Sequence, residues 1–132
     1  MNKNKPIILL DPYPRTMDLL FSKENLNYLK KNFKLITAPN KNKNNFYEKN
    51  LPSADYIFGQ PNLPSSLISK STKLKAIFNV ESNFMDNMDY DYCFRNGIHV
   101  LATSPVFAQP VAEMAVGLTL SIARSIHIAH SD

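Results

Sequence analysis

Five short apolar runs, several of them bounded by Pro, Gly or Asp, alternate in this chain with segments whose apolar residues recur at helical spacing. That alternation predicts an α/β fold with a parallel sheet, right-handed crossovers and helices on both faces. After the fifth run comes one long, strongly apolar segment, which predicts a C-terminal helix beyond the finished sheet.

Ile7–Leu10 lies between Pro6 and Asp11-Pro12 and reads as a first strand buried on both faces. Leu19, Leu20, Leu26, Tyr28, Leu29 and Phe33 then recur at mostly helical spacing. With Thr16 or Ser22 as N-cap they predict a helix over Thr16–Asn32, in one piece or two. Phe33–Thr37 is a second strand ended by Ala38-Pro39, and the tract Asn40–Asn50 (NKNKNNFYEKN) supports one weak helical turn. Tyr56–Phe58 is a third strand stopped by Gly59. Leu63–Ser71 is a short helix with Pro64 in its first turn. Leu74–Val80 is the fourth strand, Asp89–Asn96 a helix with Gly97 as C-cap, and Ile98–Ala102 the fifth strand. Five strands at this spacing fit a flavodoxin-like sheet of order 2-1-3-4-5. The last helix is expected from near Pro110 to about Ala129, with Glu113 in its first turn. Val111, Met114, Ala115, Leu118, Ile122 and Ile126 form its apolar stripe, which predicts packing on something beyond its own domain. The chain divides into a sheet domain over 1–108 and a helix over 109–132.

Composition narrows the classes of function. At 132 residues, 44% apolar and 20% charged, the chain is long enough to bury a core and is not globally disordered. Single Cys93 excludes an internal disulfide and a multi-cysteine metal site, and suits a reduced, cytoplasmic setting. No secretory signal is visible. Glu113, Arg124 and His127 interrupt the long helix, so no membrane partner is expected. The net charge of +4 comes from lysines spread along the chain without a recognition motif, so no nucleic-acid partner is expected. His127 and His130 could form half a metal site, but lack a neighbouring thiol or carboxylate, and His99 lies inside a strand.

Three familiar folds share this strand pattern. Receiver domains need a phospho-accepting Asp after strand three, but the chain there reads Phe58-Gly59-Gln60. Flavodoxins cradle a phosphate after strand one, where Pro12 and Pro14 here remove two amide donors. No G-x-G-x-x-G or P-loop occurs, so the chain carries no self-contained nucleotide site.

Four pieces point to a third family. Leu74-Lys75-Ala76-Ile77 is followed by Asp86-Asn87-Met88-Asp89, then by Asn96-Gly97-Ile98-His99-Val100. Ser104-Pro105 precedes Val111-Ala112-Glu113, Gly117-Leu118, Leu120 and Ala123-Arg124. In order and spacing the series resembles the D-isomer-specific 2-hydroxyacid dehydrogenases just ahead of their nucleotide-binding domain. The resemblance implies the N-terminal substrate, or lid, domain, truncated before the Rossmann domain, with the long helix serving interdomain or dimer contacts. It implies an oxidoreductase that transfers hydride between NAD or NADP and C2 of a small 2-hydroxy or 2-keto acid. The catalytic His, acidic residue and Arg of the family, and its glycine motif, belong to the second domain. No catalytic residue and no cofactor is therefore expected for this chain alone; Glu113 and Arg124 match helix positions instead.

The same resemblance implies a substrate-carboxylate loop after strand four, usually A-G-x-G, whose backbone N–H groups bind the anion. Its equivalents are Glu81, Ser82, Asn83 and Phe84: both glycines are absent and a carboxylate takes the anion's place. Asn83 tolerates the left-handed conformation such a nest needs. The loop is either a branch variant with a different substrate or one that drifted after loss of function. Gln109 would face the cofactor cleft of a docked second domain. Two functional readings follow: a portion of a 2-hydroxyacid dehydrogenase inactive by itself, or a stand-alone binding module that forms a homodimer or pairs with a separate Rossmann chain.

Overall fold

The computed structural model describes residues 5–81 and 83–130. Strands β1 (Ile7–Asp11), β2 (Lys34–Thr37), β3 (Tyr56–Gly59), β4 (Ala76–Phe78) and β5 (His99–Leu101) form one parallel sheet of order β2-β1-β3-β4-β5, as predicted. The strands' register makes the core legible. One row crosses all five strands as Ile36, Leu9, Ile57, Ile77 and Val100. It packs with Tyr47, Leu51, Leu67, Ile68 and Cys93 in a single apolar cluster. The next row, on the opposite face, carries Phe58 and Phe78 stacked at 5.7 Å, with Phe21 tilted onto Phe58 at 4.9 Å.

The helices differ from expectation in instructive ways. The first region is two helices, α1 (Met17–Leu20) and α2 (Lys23–Asn32), because Phe21 and Ser22 are extended. Ser22 caps α2 by accepting from the Asn25 N–H at 3.2 Å, whereas Thr16 stands at the N-cap of α1 without a side-chain bond. The Lys/Asn tract forms α3 (Lys43–Asn50), not a single weak turn, followed by a 3₁₀ turn at Leu51–Ser53. Its propensity is poor, but buried Tyr47 and Leu51 anchor it in the core, and tertiary packing overrides propensity. Leu63 is not helical. It pairs with Met88 in an isolated parallel bridge, leaving only Ser65–Ile68 as α4.

The D-N-x-D turn has a physical role. The Asn87 side chain donates to the Pro61 carbonyl at 2.7 Å, and its carbonyl accepts from the Leu63 N–H at 2.7 Å. Asp89 then caps α5 (Tyr90–Arg95) by accepting from the Tyr92 N–H at 2.8 Å. Gly97, at φ 70°, follows Asn96 in the left-handed stop predicted for it, and Ile98 N–H returns to the Cys93 carbonyl.

Cys93 is fully buried in α5, and burial, reinforced by the Asp89 charge, pushes its thiol up to about 11. The protonated thiol is favoured in the fold, so its contribution is present below pH 9 and is lost as pH rises towards about 11. Ellman's reagent at pH 8 should therefore leave Cys93 intact in folded protein and titrate it fully in urea; rapid native labelling would contradict its burial.

The chain divides into two compact units after Ala102. The second contains α6 (Ser104–Ala123) and α7 (Ile126–Ala129), with Ser125 left-handed at φ 52° between them. Helix α6 starts earlier than expected. Pro105 takes the first turn, where a missing N–H is harmless, while Pro110 lies inside the helix and Glu113 at mid-length. The helix ends at Ala123, so only Glu113 of the three expected interruptions falls inside it. By length and composition it could cross a bilayer. None of its residues is buried; the stripe Val111, Met114, Leu118 and Ile122 is exposed.

Candidate functional site

In open parallel sheets, ligands gather at the carboxyl ends of the strands, beside the point where strand order reverses. Here that point lies between β1 and β3, where Asp11 pairs with Gly59. Gly59 has φ 154°, and a Cβ there would meet the Asp11 carbonyl oxygen at 2.4 Å. Only glycine lets the two strand ends approach so closely.

Asp11 is 3% exposed, yet both its carboxylate oxygens are satisfied. Oδ1 accepts from Lys43 Nζ at 2.7 Å and Oδ2 from Tyr47 Oη at 3.1 Å. Lys43 also lies 5.0 Å from the Tyr13 ring centroid, so the first turn of α3 is tied to both the end of β1 and its following loop. Burial, then the Asp11 charge and hydrogen bond, raise the Tyr47 phenol far above its ordinary range. Tyr47 thus stays a neutral donor at any physiological pH. This constellation is structural in its chemistry: a buried carboxylate with its donors already in place.

The predicted substrate loop follows β4. Glu81 forms a two-pronged pair with Arg15 of the β1–α1 loop: Nε to Oε1 is 2.9 Å and Nη2 to Oε2 is 3.2 Å. The hydrogen bond and then the charge of Glu81 raise the Arg15 pKa above its ordinary value. Gln60, directly after β3, joins the loops through its side-chain amide. Its Oε1 accepts from the Glu81 N–H at 3.2 Å and its Nε2 donates to the Asn83 carbonyl at 2.8 Å. The Asn83 carbonyl is thus tied to the end of β3 through Gln60. Phe84 is exposed and meets Tyr90 edge-on at 5.2 Å. Ser82 lies outside the described residues.

Beneath this loop sits Asn79, 4% exposed. Among the described residues, neither its side-chain NH2 nor its carbonyl has a partner. An orphaned buried amide of this kind costs about 1–3 kcal/mol. Replacing it with the near-isosteric leucine, Asn79→Leu, is therefore expected to raise unfolding free energy by about 1–2 kcal/mol in urea titrations. A loss of stability would mean the amide is satisfied in solution.

The remaining candidates lie on other elements. Gln109 lies on α6 and donates to Glu113 at 2.8 Å, one helical turn away. Arg124 is the C-cap of α6, His99 is exposed on β5 and His130 is exposed after α7. The His127 side chain lies outside the described residues. Among those residues no group of three His, Cys, Asp or Glu could hold a metal. Sequence reasoning missed Arg15, Gln60, Asn79 and Lys43 as a group, since no motif marks them and only the strand order brings them together.

No protein-family model and no curated protein sequence matches the chain, whereas solved structures do. A phosphoglycerate oxidoreductase from Rhizobium etli matches over 92% of this chain at 39% identity, with a TM-score of 0.73. The PH0520 protein from Pyrococcus horikoshii matches over 96% at 22% identity and a TM-score of 0.69. The NAD+-bound 3-phosphoglycerate dehydrogenase of Entamoeba histolytica matches over 89% at 20% identity and a TM-score of 0.58. The latter two show the fold alone. This chain spans 38%, 36% and 39% of the lengths of these three proteins.

Fold and strand-end loops together define an open parallel α/β domain of the dehydrogenase type. The solved structures this chain resembles are D-isomer-specific 2-hydroxyacid dehydrogenases, matched over about nine-tenths of this chain.

Proposed function

We propose that the chain is the substrate-side domain of an NAD(P)-dependent oxidoreductase acting on the CH–OH group of a small 2-hydroxy acid, and that alone it is inactive. The observation that carries this is the 39% identity to the Rhizobium oxidoreductase, over nearly the whole chain. In this reading the loop Glu81, Ser82, Asn83 and Phe84 borders the substrate, and Gln109 faces the cofactor of an adjoining nucleotide-binding domain. The three glycines, Gly59, Gly97 and Gly117, are too scattered for a pyrophosphate loop, so NAD or NADP would be held elsewhere. A cytoplasmic location accompanies this reading.

Two measurements test it. The 132-residue chain should show no saturable quenching of NADH fluorescence and no turnover of glyoxylate or hydroxypyruvate. Fused ahead of the nucleotide-binding half of the Rhizobium relative, it should oxidise NADH with a 2-keto acid. Turnover by the isolated chain, or an inert but folded fusion, would overturn the proposal.

The exposed apolar residues of α6 favour a second reading, a module that dimerises or binds a separate Rossmann chain through this helix. A bilayer is the weaker partner, since Glu113 at mid-helix would cost roughly 3 kcal/mol in hydrocarbon. Light scattering should give twice the monomer mass; a stable monomer would exclude the dimer.

A further inference from the structure

The Arg15–Glu81 pair joins residues 66 apart in sequence, at the carboxyl ends of β1 and β4. A guanidinium carries five N–H donors in a planar fork. Two are engaged by Glu81, and the Arg15 side chain is 52% exposed, leaving donors directed at solvent. Three other donors at this edge are committed. Lys43 Nζ is held by Asp11, the Glu81 N–H by Gln60 and the Met85 N–H by Tyr90. The two amides that border the loop are thus spent within the fold, while a fork matched to carboxylate geometry stands beside it. Asn79, unpartnered among the described residues, adds an unused polar group at the foot of the same loop.

We propose that Arg15 is the anion seat of this domain, and that Glu81 is a resident carboxylate which holds the guanidinium in place and yields to the carboxylate of a small 2-hydroxy or 2-keto acid. The proposal rests on the 2-hydroxy-acid reading and names the side chain that would grip the substrate. Carboxylate replaces carboxylate, so the ion pair persists through the exchange. Because Glu81 is 29% exposed, displacing it requires no unfolding of the core.

Pyruvate titrated into the full chain, followed by ¹H–¹⁵N NMR, reads Arg15 Nε–H together with the Asn83 and Phe84 amides. The expected result is a saturable shift of Arg15 Nε–H. It should tighten severalfold in Glu81→Gln, the scale of an exposed pair of good geometry. In Arg15→Gln the loop response should vanish. Loop amides that respond while Arg15 stays still, or equal affinity in Glu81→Gln, would overturn the seat and leave the dehydrogenase reading standing. Silence at both places would overturn both. Inorganic phosphate shifting Arg15 as strongly as pyruvate would overturn the carboxylate assignment.

Discussion

Gly59→Ala should destabilise the domain by about 2–6 kcal/mol, combining backbone strain of about 1–3 with overpacking of about 1–3 kcal/mol. At φ 154° a side chain is strained whatever the space, and here there is none. The new Cβ would lie 2.4 Å from the Asp11 carbonyl oxygen and 2.9 Å from its Cβ. Relief would require β1 and β3 to part at Asp11–Gly59, the last pair of their ladder. Since small domains have only about 5–15 kcal/mol in hand, the variant should be partly unfolded at room temperature. Urea denaturation followed by circular dichroism measures it, and a loss below about 1 kcal/mol would mean the strand ends separate easily.

Lys43→Met is the second large effect, expected to cost about 2–3 kcal/mol. It leaves the Asp11 carboxylate, 4% exposed, with Tyr47 as its remaining side-chain donor. Breaking a fully buried pair costs about 3–5 kcal/mol; the smaller figure reflects the partial exposure of Lys43. The double variant Asp11→Asn with Lys43→Met should recover part of the loss, because the uncompensated charge is gone. If the two substitutions simply add, the residues do not interact and the pair is incidental.

These two residues show where sequence was informative and where it was not. Strand order, the Gly97 stop and the Ser22 cap were readable because each rests on local chemistry: apolar runs, a left-handed glycine, a side-chain acceptor. Helix α3 was underestimated because its residues favour solvent, and its stability comes from Tyr47 reaching a core assembled by distant strands. Leu63 carried the same signal as a helical leucine, and only its pairing with Met88 distinguishes it. The start of α6 was obscured by two prolines, of which the first, not the second, marks the helix entry. In the candidate site Glu81 was visible as an anomaly, a carboxylate where an anion should bind. Its partner was not, because nothing in Pro12-Tyr13-Pro14-Arg15 indicates that this loop lies beside residue 81.

The meeting of Asp11 with a residue lacking a side chain also guards the alignment of the central strands. A slip of one position between β1 and β3 would present Phe58 or Gln60 to Asp11 in place of Gly59. Both would have to fit a side chain where none fits, and the slip would also turn the interior row of β3 outward. Misaligned pairings of these strands are thus rejected by simple lack of room, independently of any ligand.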